Sequence, residues 1–188
     1  MAGVLILHYD LTSPAAAVAL LRVQRLLDEG ARIRLSPFDA LGLEISVPAT
    51  RALLAELEVH RDRAAALGLA MHRPSRQPPT LRAHLIGAEV AEPAGLGASW
   101  RWRCLRAFWS EDRDLAARDT LVALAADAGL AAGEVDRALT DRLALQRLRD
   151  HLLLQRRRGI GGVPVLELDG TFVPAEVSDA DLRHLAGL

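Results

Sequence analysis

Tyr9-Asp10-Leu11-Thr12-Ser13-Pro14, directly after the apolar run Val4-Leu5-Ile6-Leu7, is the stretch whose reading decides the fold. A short continuous apolar run closed by a polar turn fits a strand buried on both faces of a mostly parallel sheet. Pro14 stands where a first-turn proline is tolerated, which makes Ser13 the N-cap of the helix that follows. From Pro14 to Glu29 the apolar residues Val18, Leu21 and Leu26 recur at helical spacing. Gly30 closes that helix, and Ile33 and Leu35 then alternate with Arg32 and Arg34 as a half-buried second strand. The opening segment is one β-α-β unit.

At the other end, Gly159-Ile160-Gly161-Gly162-Val163-Pro164 is a glycine-rich turn running into Val165-Leu166-Glu167-Leu168. Asp169-Gly170 is a two-residue turn that joins this run to Thr171-Phe172-Val173 as a hairpin. Ser178 caps a last helix reaching toward Leu188, with Asp179 and Asp181 in its first turn. Between the ends, Thr50 to Arg158 reads as almost entirely helical, broken at Gly68, Pro74 to Pro79, Pro93 to Gly97 and Gly129 to Gly133. Leu115 to Ala128 is expected as a helix with Asp112 and Asp114 near its start, and Leu139 to Gln155 as one long helix ending at Arg156-Arg157-Arg158. This order divides the α/β chain into a discontinuous sheet domain, 1–49 and 156–188, and a helical insertion, 50–155.

The 188 residues suit one domain with an insertion and can bury a core without disulfides or metal. A hydrophobic content of 51% with 25% charge is that of a soluble globular chain rather than a disordered one. The net charge of −1 argues against a nucleic-acid partner. All 23 basic residues are arginine, which would favour carboxylate or phosphate binding only where several converge. Cys104 is the lone cysteine, so no intramolecular disulfide forms, and it is expected as a small buried hydrophobe. Met1-Ala2-Gly3 has no basic residue, Val4 to Leu7 is too short for a signal-peptide core, and no run is long enough to span a membrane, so a cytoplasmic location is expected. His8, His60, His72, His84 and His151 show no metal-ligand spacing, and His60 with Arg63 reads as a solvated face; no metal is assigned. Trp100, Trp102 and Trp109 are expected to pack the insertion onto the sheet, with Trp100 or Trp102 as the alternative wall of a pocket.

Asp10-x-x-Ser13-Pro14 and Gly159-Ile160-Gly161-Gly162-Val163-Pro164, with Pro79-Thr80-x-x-Ala83-His84-Leu85 and Leu105-Arg106-Ala107-Phe108-Trp109-Ser110-Glu111 between them, carry a resemblance that spans nearly the whole chain. The chain resembles the DsbA-like thioredoxin superfamily, in the branch of 2-hydroxychromene-2-carboxylate isomerases, kappa-class glutathione transferases and FrnE-like proteins. The resemblance implies a thioredoxin fold with a large all-helical insertion after the second strand. Ser13 stands where redox relatives carry the attacking cysteine and Ala16 where they carry the second, so dithiol exchange has no partners there.

By the same resemblance Ser13 is the catalytic residue, its hydroxyl holding the thiolate of glutathione or another low-molecular-weight thiol beside the positive end of the helix. Thr12, Pro14, Val163, Pro164 and Glu176 are the implied cofactor-binding residues, with Val163-Pro164 cis and the glycines permitting close approach. The implied activity is isomerisation or transfer on a small-molecule substrate, in a chain whose relatives are often homodimers. The chain departs from the branch at Ala15-Ala16-Ala17, which replaces an aromatic wall, at Pro79 in place of Asn, and at Pro174 and Glu176. Read without the resemblance, Ser13-Pro14 is an ordinary helix cap, Thr12 a turn residue and Val163-Pro164 a trans bond. A non-catalytic ligand- or peptide-binding protein is therefore the alternative function, and disulfide chemistry through Cys104 a third.

Overall fold

The computed structural model describes residues 4–188; Met1, Ala2 and Gly3, expected to carry no leader, lie outside them. In chain order the elements are β1 (Leu5–Tyr9), α1 (Pro14–Asp28), β2 (Ile33–Pro37), β3 (Val47–Pro48), α2 (Arg51–Ala66), β4 (Arg76–Gln77), α3 (Leu81–Ile86), a π-helical turn (Gly87–Ala91), α4 (Gly97–Trp109), α5 (Arg118–Asp127), α6 (Ala132–Thr140), α7 (Arg142–Arg157), β5 (Val165–Leu168), β6 (Thr171–Pro174) and α8 (Asp179–Leu185). The main sheet has the order β2-β1-β5-β6. β1 runs parallel to β2 and antiparallel to β5, so Leu7 lies between Leu35 and Leu166 and the two ends of the chain meet in the sheet. This is the thioredoxin fold with its helical insertion.

Strand alternation sends Leu5, Leu7 and Tyr9 into the main core with Ala16, Val18, Leu20 and Val23 of α1. That core continues without interruption through Leu57 and Leu69 to Trp100, Phe108, Trp109, Leu121 and Leu130, so the insertion shares the hydrophobic core of the sheet. Trp100 is fully buried and its Nε1–H donates to the Ala83 carbonyl at 2.9 Å, which makes it a core residue. The other face of the sheet carries a polar cluster. His8, Ser36 and Glu167 lie there under α7, with Gln155 Nε2 2.7 Å from Ser36 Oγ and 3.2 Å from His8 Nδ1. His8 Nε2 is 2.9 Å from Glu167 Oε2, and Glu167 also pairs with Arg158 at the end of α7.

Three local departures from the sequence reading have physical causes. The expected helix Leu139 to Gln155 is two helices, because the Asp141 carboxylate accepts the Leu143 and Ala144 N–H groups at 2.8 and 3.0 Å and caps α7 afresh. The expected helix from Leu115 starts later, at Arg118; Asp112 has φ +50° and Asp114 accepts the Ala116 N–H, so both build the preceding turn. Within the insertion a two-residue strand, β4, pairs with β3, Val47 opposite Gln77 and Pro48 opposite Arg76. His60 is also less solvated than expected, its side chain 12% exposed and 3.3 Å from Glu176.

Candidate functional site at the start of α1

The turn between β1 and α1 is held from several sides. Asp10 is fully buried, and its Oδ1 accepts the Thr12 N–H at 3.1 Å while its Oδ2 accepts the Ala40 N–H at 2.6 Å. A short carboxylate bonding the backbone two residues ahead is the ordinary way an aspartate sets a turn. Trp109 of α4 donates its Nε1–H to the Leu11 carbonyl at 3.0 Å, fastening the insertion to the turn. Thr12 is fully buried, its hydroxyl within 3.4 Å of Asp10 Oδ1 and 3.3 Å of Gln77 Nε2. These contacts place Thr12 in the framework of the turn.

Ser13 has extended backbone, φ −94° and ψ 125°, and its Oγ accepts the Ala16 N–H at 3.2 Å as the N-cap. Pro14 follows as the first, buried residue of α1. No acidic residue lies in the first turn of α1. The charge that a helix N-terminus favours comes instead from Glu56 of α2. Glu56 Oε1 lies 3.3 Å from Ser13 Oγ and 3.3 Å from the Ala15 nitrogen, accepting from both. One anionic oxygen thus sits where a hydroxyl and a backbone N–H converge.

The second motif reaches the same hydroxyl: Ser13 Oγ is 3.3 Å from the Val163 carbonyl oxygen, and the Val163–Pro164 peptide is cis. The structure thereby brings Ser13, Pro14, Val163 and Pro164 together. An added Cβ at Gly161 or Gly162 would meet no protein atom, and Gly159, with φ +99°, is the one of the three whose backbone requires glycine. Glu176 is exposed and paired with His60, one helical turn beyond Glu56 on α2. Arg22, buried in α1, anchors the segment around Glu176 by donating to the Ala175 and Val177 carbonyls at 3.3 and 2.7 Å and to Asp179 at 2.7 Å. Glu56 is the site residue that sequence reading missed, because a glutamate on an amphipathic helix carries no motif. Asp10 stood inside the quoted motif, yet its buried role needed the Ala40 contact to be seen.

Cys104 is fully buried in the core, and burial pushes its thiol pKa well up, away from the thiolate that exchange chemistry needs. Tyr9 is buried against the ring of His84, and burial pushes its phenol up to about 12. Among the described residues no group of three or more His, Cys, Asp or Glu could hold a metal ion.

The sheet, the serine-capped α1 and the proline turn opposite it all lie within residues 4–185, which match a family model described as the DSBA-like thioredoxin domain. The chain belongs to the DSBA-like thioredoxin domain family. No curated protein sequence matches it. Among solved structures this DSBA-like chain is similar to a probable DsbA oxidoreductase from Streptomyces coelicolor, at 23% identity and TM-score 0.80, over 98% of this chain and 90% of that one. It is also similar to a 2-hydroxychromene-2-carboxylate isomerase, at 19% identity and TM-score 0.73, over 98% and 93% of the two chains. A third is the cytosolic disulfide reductase DsbM from Pseudomonas aeruginosa with GSH, at 20% identity and TM-score 0.71, over 98% and 100%. These likenesses establish the fold. Among the described residues no helix is long and apolar enough to cross a membrane.

Proposed function

We propose that this DSBA-like protein is a thiol-cofactor-dependent isomerase or transferase acting on a small electrophilic molecule. The reading rests on one observation: Glu56 Oε1 occupies the point where the Ser13 hydroxyl and the Ala15 N–H converge. That donor pair fits an anion, and the carboxylate is a stand-in for the sulfur of glutathione or another low-molecular-weight thiol. The likeness to DsbM with GSH and to the isomerase supports the same class of cofactor and reaction.

When bound, such a thiol would supply a nucleophile for an electrophilic carbon, the C–S bond breaking again in isomerisation and remaining in the thioether product in transfer. The S–H proton passes to solvent, the Glu56 carboxylate turns out of the helix end, and Ser13 Oγ–H and the Ala15 N–H donate to the anion in its place. Lowering a thiol from ~8.5 to neutrality takes about 2 kcal/mol. A charge-assisted hydrogen bond and a helix N-terminus together supply that much. Disulfide exchange is not proposed, since Cys104 is buried and Ser13 replaces the attacking thiol. A reducing cytoplasm, where such thiols persist, suits this chemistry.

Calorimetric titration with glutathione at pH 6 to 8, in buffers of different ionisation enthalpy, tests the reading. Wild type is expected to release about one proton per thiol bound and to gain affinity as pH rises toward the thiol pKa. Glu56→Ala is expected to release the same proton and to bind the thiol more tightly, because no carboxylate competes for the Ser13 and Ala15 donors. Ser13→Ala should weaken binding by about tenfold. The occupied helix end also favours a second reading, a non-catalytic ligand-binding member of the family. Absence of thiol binding in both wild type and Glu56→Ala would decide for it.

A further inference from the structure

A cavity of about 510 Å³ opens between the loop after β2, the start of α3 and one face of α7. Its lining contains none of Ser13, Ala15, Glu56, Val163 or Pro164. On α7, Leu145, Arg149, Leu152 and Arg156 recur at spacings of four, three and four, which puts them on one side of the helix. Leu145 and Leu152 belong to a small apolar cluster with Leu81 and Leu85 that is separate from the main core. The apolar wall is aliphatic throughout, with no aromatic ring in the lining.

The charges around this wall do not cancel. Arg149 is paired with Glu44. Arg156 has no carboxylate partner among the described residues; its Nη2 donates to the Asp39 carbonyl and its guanidinium lies 4.8 Å over the Phe38 ring. Arg82, at the start of α3, has neither hydrogen bond nor ion pair among the described residues. Asp39 is nearly buried, its Oδ1 takes the Gly42 N–H at 3.0 Å, and burial pushes its carboxyl pKa up against the opposing pull of that bond and of Arg156. Guanidinium groups bind carboxylates through paired N–H donors, and cavities of a few hundred Å³ are the usual size for small ligands.

We infer that this cavity binds a medium-chain aliphatic carboxylate, with the carboxylate on Arg82 and Arg156 and the hydrocarbon chain against Leu81, Leu145, Leu152 and Leu153. The site is independent of the Ser13 chemistry. It adjoins that chemistry through one bond, since Asp10, which sets the Ser13 turn, also holds the Ala40 N–H in the cavity's loop.

Calorimetric titration of the full chain with decanoate, with decanol as the uncharged control, tests the inference. Saturable one-to-one binding is expected, weakened about tenfold in Arg82→Gln and in Arg156→Gln, and weakened about as much for decanol. Arg82→Gln alters an exposed side chain without partners, so it reports on binding even if Arg156→Gln disturbs the loop. Leu153→Gln, also at an exposed position, should weaken decanoate too. Ser13→Ala and Glu56→Ala should leave decanoate affinity unchanged while altering thiol binding, which separates failure of this site from failure of the thiol reading. Absence of saturation, equal affinity for decanol, equal affinity in Arg82→Gln, or loss in Ser13→Ala would each overturn the inference.

Discussion

Ser13, Glu56 and Trp109 show how single side chains set the site. Ser13 caps α1 through the Ala16 N–H, so Ser13→Ala should cost about 1 kcal/mol in chemical denaturation, apart from any effect on thiol binding. Trp109 is wholly buried and the only polar atom of its side chain donates to the Leu11 carbonyl. Trp109→Phe leaves that carbonyl without its donor and removes part of the core, and is expected to destabilise by about 2–3 kcal/mol. If denaturation shows no loss, the Leu11 contact contributes nothing to holding the turn. The Ser13-Pro14 cap was legible from the sequence because a cap acts on its own backbone, whereas the cis form of Val163-Pro164 came only from the family resemblance. Glu56 was not legible, because it meets Ser13 from a different helix.

At the scale of elements, α1 is fastened to the C-terminal segment by one buried arginine. Arg22 donates to the carbonyls of Ala175 and Val177 and to Asp179, bridging the first helix and the stretch entering α8. Asp179 is 80% exposed, so the ion pair itself adds little; the two carbonyls are what lose their donors. Arg22→Ala is therefore expected to cost about 2 kcal/mol, read as a lowered denaturation midpoint, and to weaken hydrogen-exchange protection in α8 before the sheet. Helix interiors were legible from apolar spacing. The break at Asp141 was not, because apolar residues keep their helical spacing across it and only the cap contacts reveal where α6 stops.

For the molecule as a whole, the polar sheet face beneath α7 links stability to pH. Burial holds the His8 imidazole below its ordinary value, against the opposing hydrogen bond to Glu167, and burial also lowers His151. The unfolded chain then takes up protons first, so stability present above about pH 6.5 is lost as pH falls below that value. Glu167 is held below the usual carboxylate range, chiefly by its hydrogen bond from Arg158, so its contribution is present above about pH 4.5 and is lost as pH falls through its lower folded value. Thermal melts from pH 8 to pH 4 should show Tm falling in that order, and His8→Gln should flatten the first part. A Tm independent of pH between 8 and 5 would contradict the neutral, buried state of His8. By itself the sequence determined the four strands of the main sheet, α1, α8 and the helical character of the insertion, and with them the thioredoxin architecture, because apolar period, caps and turn residues act over a few residues. Only the tertiary structure decided that Glu56 fills the end of α1, that Gln155 reaches His8, and that Arg82 and Arg156 share a cavity. Those meetings depend on how whole helices are rotated and seated on the sheet, which the packing of the entire core sets.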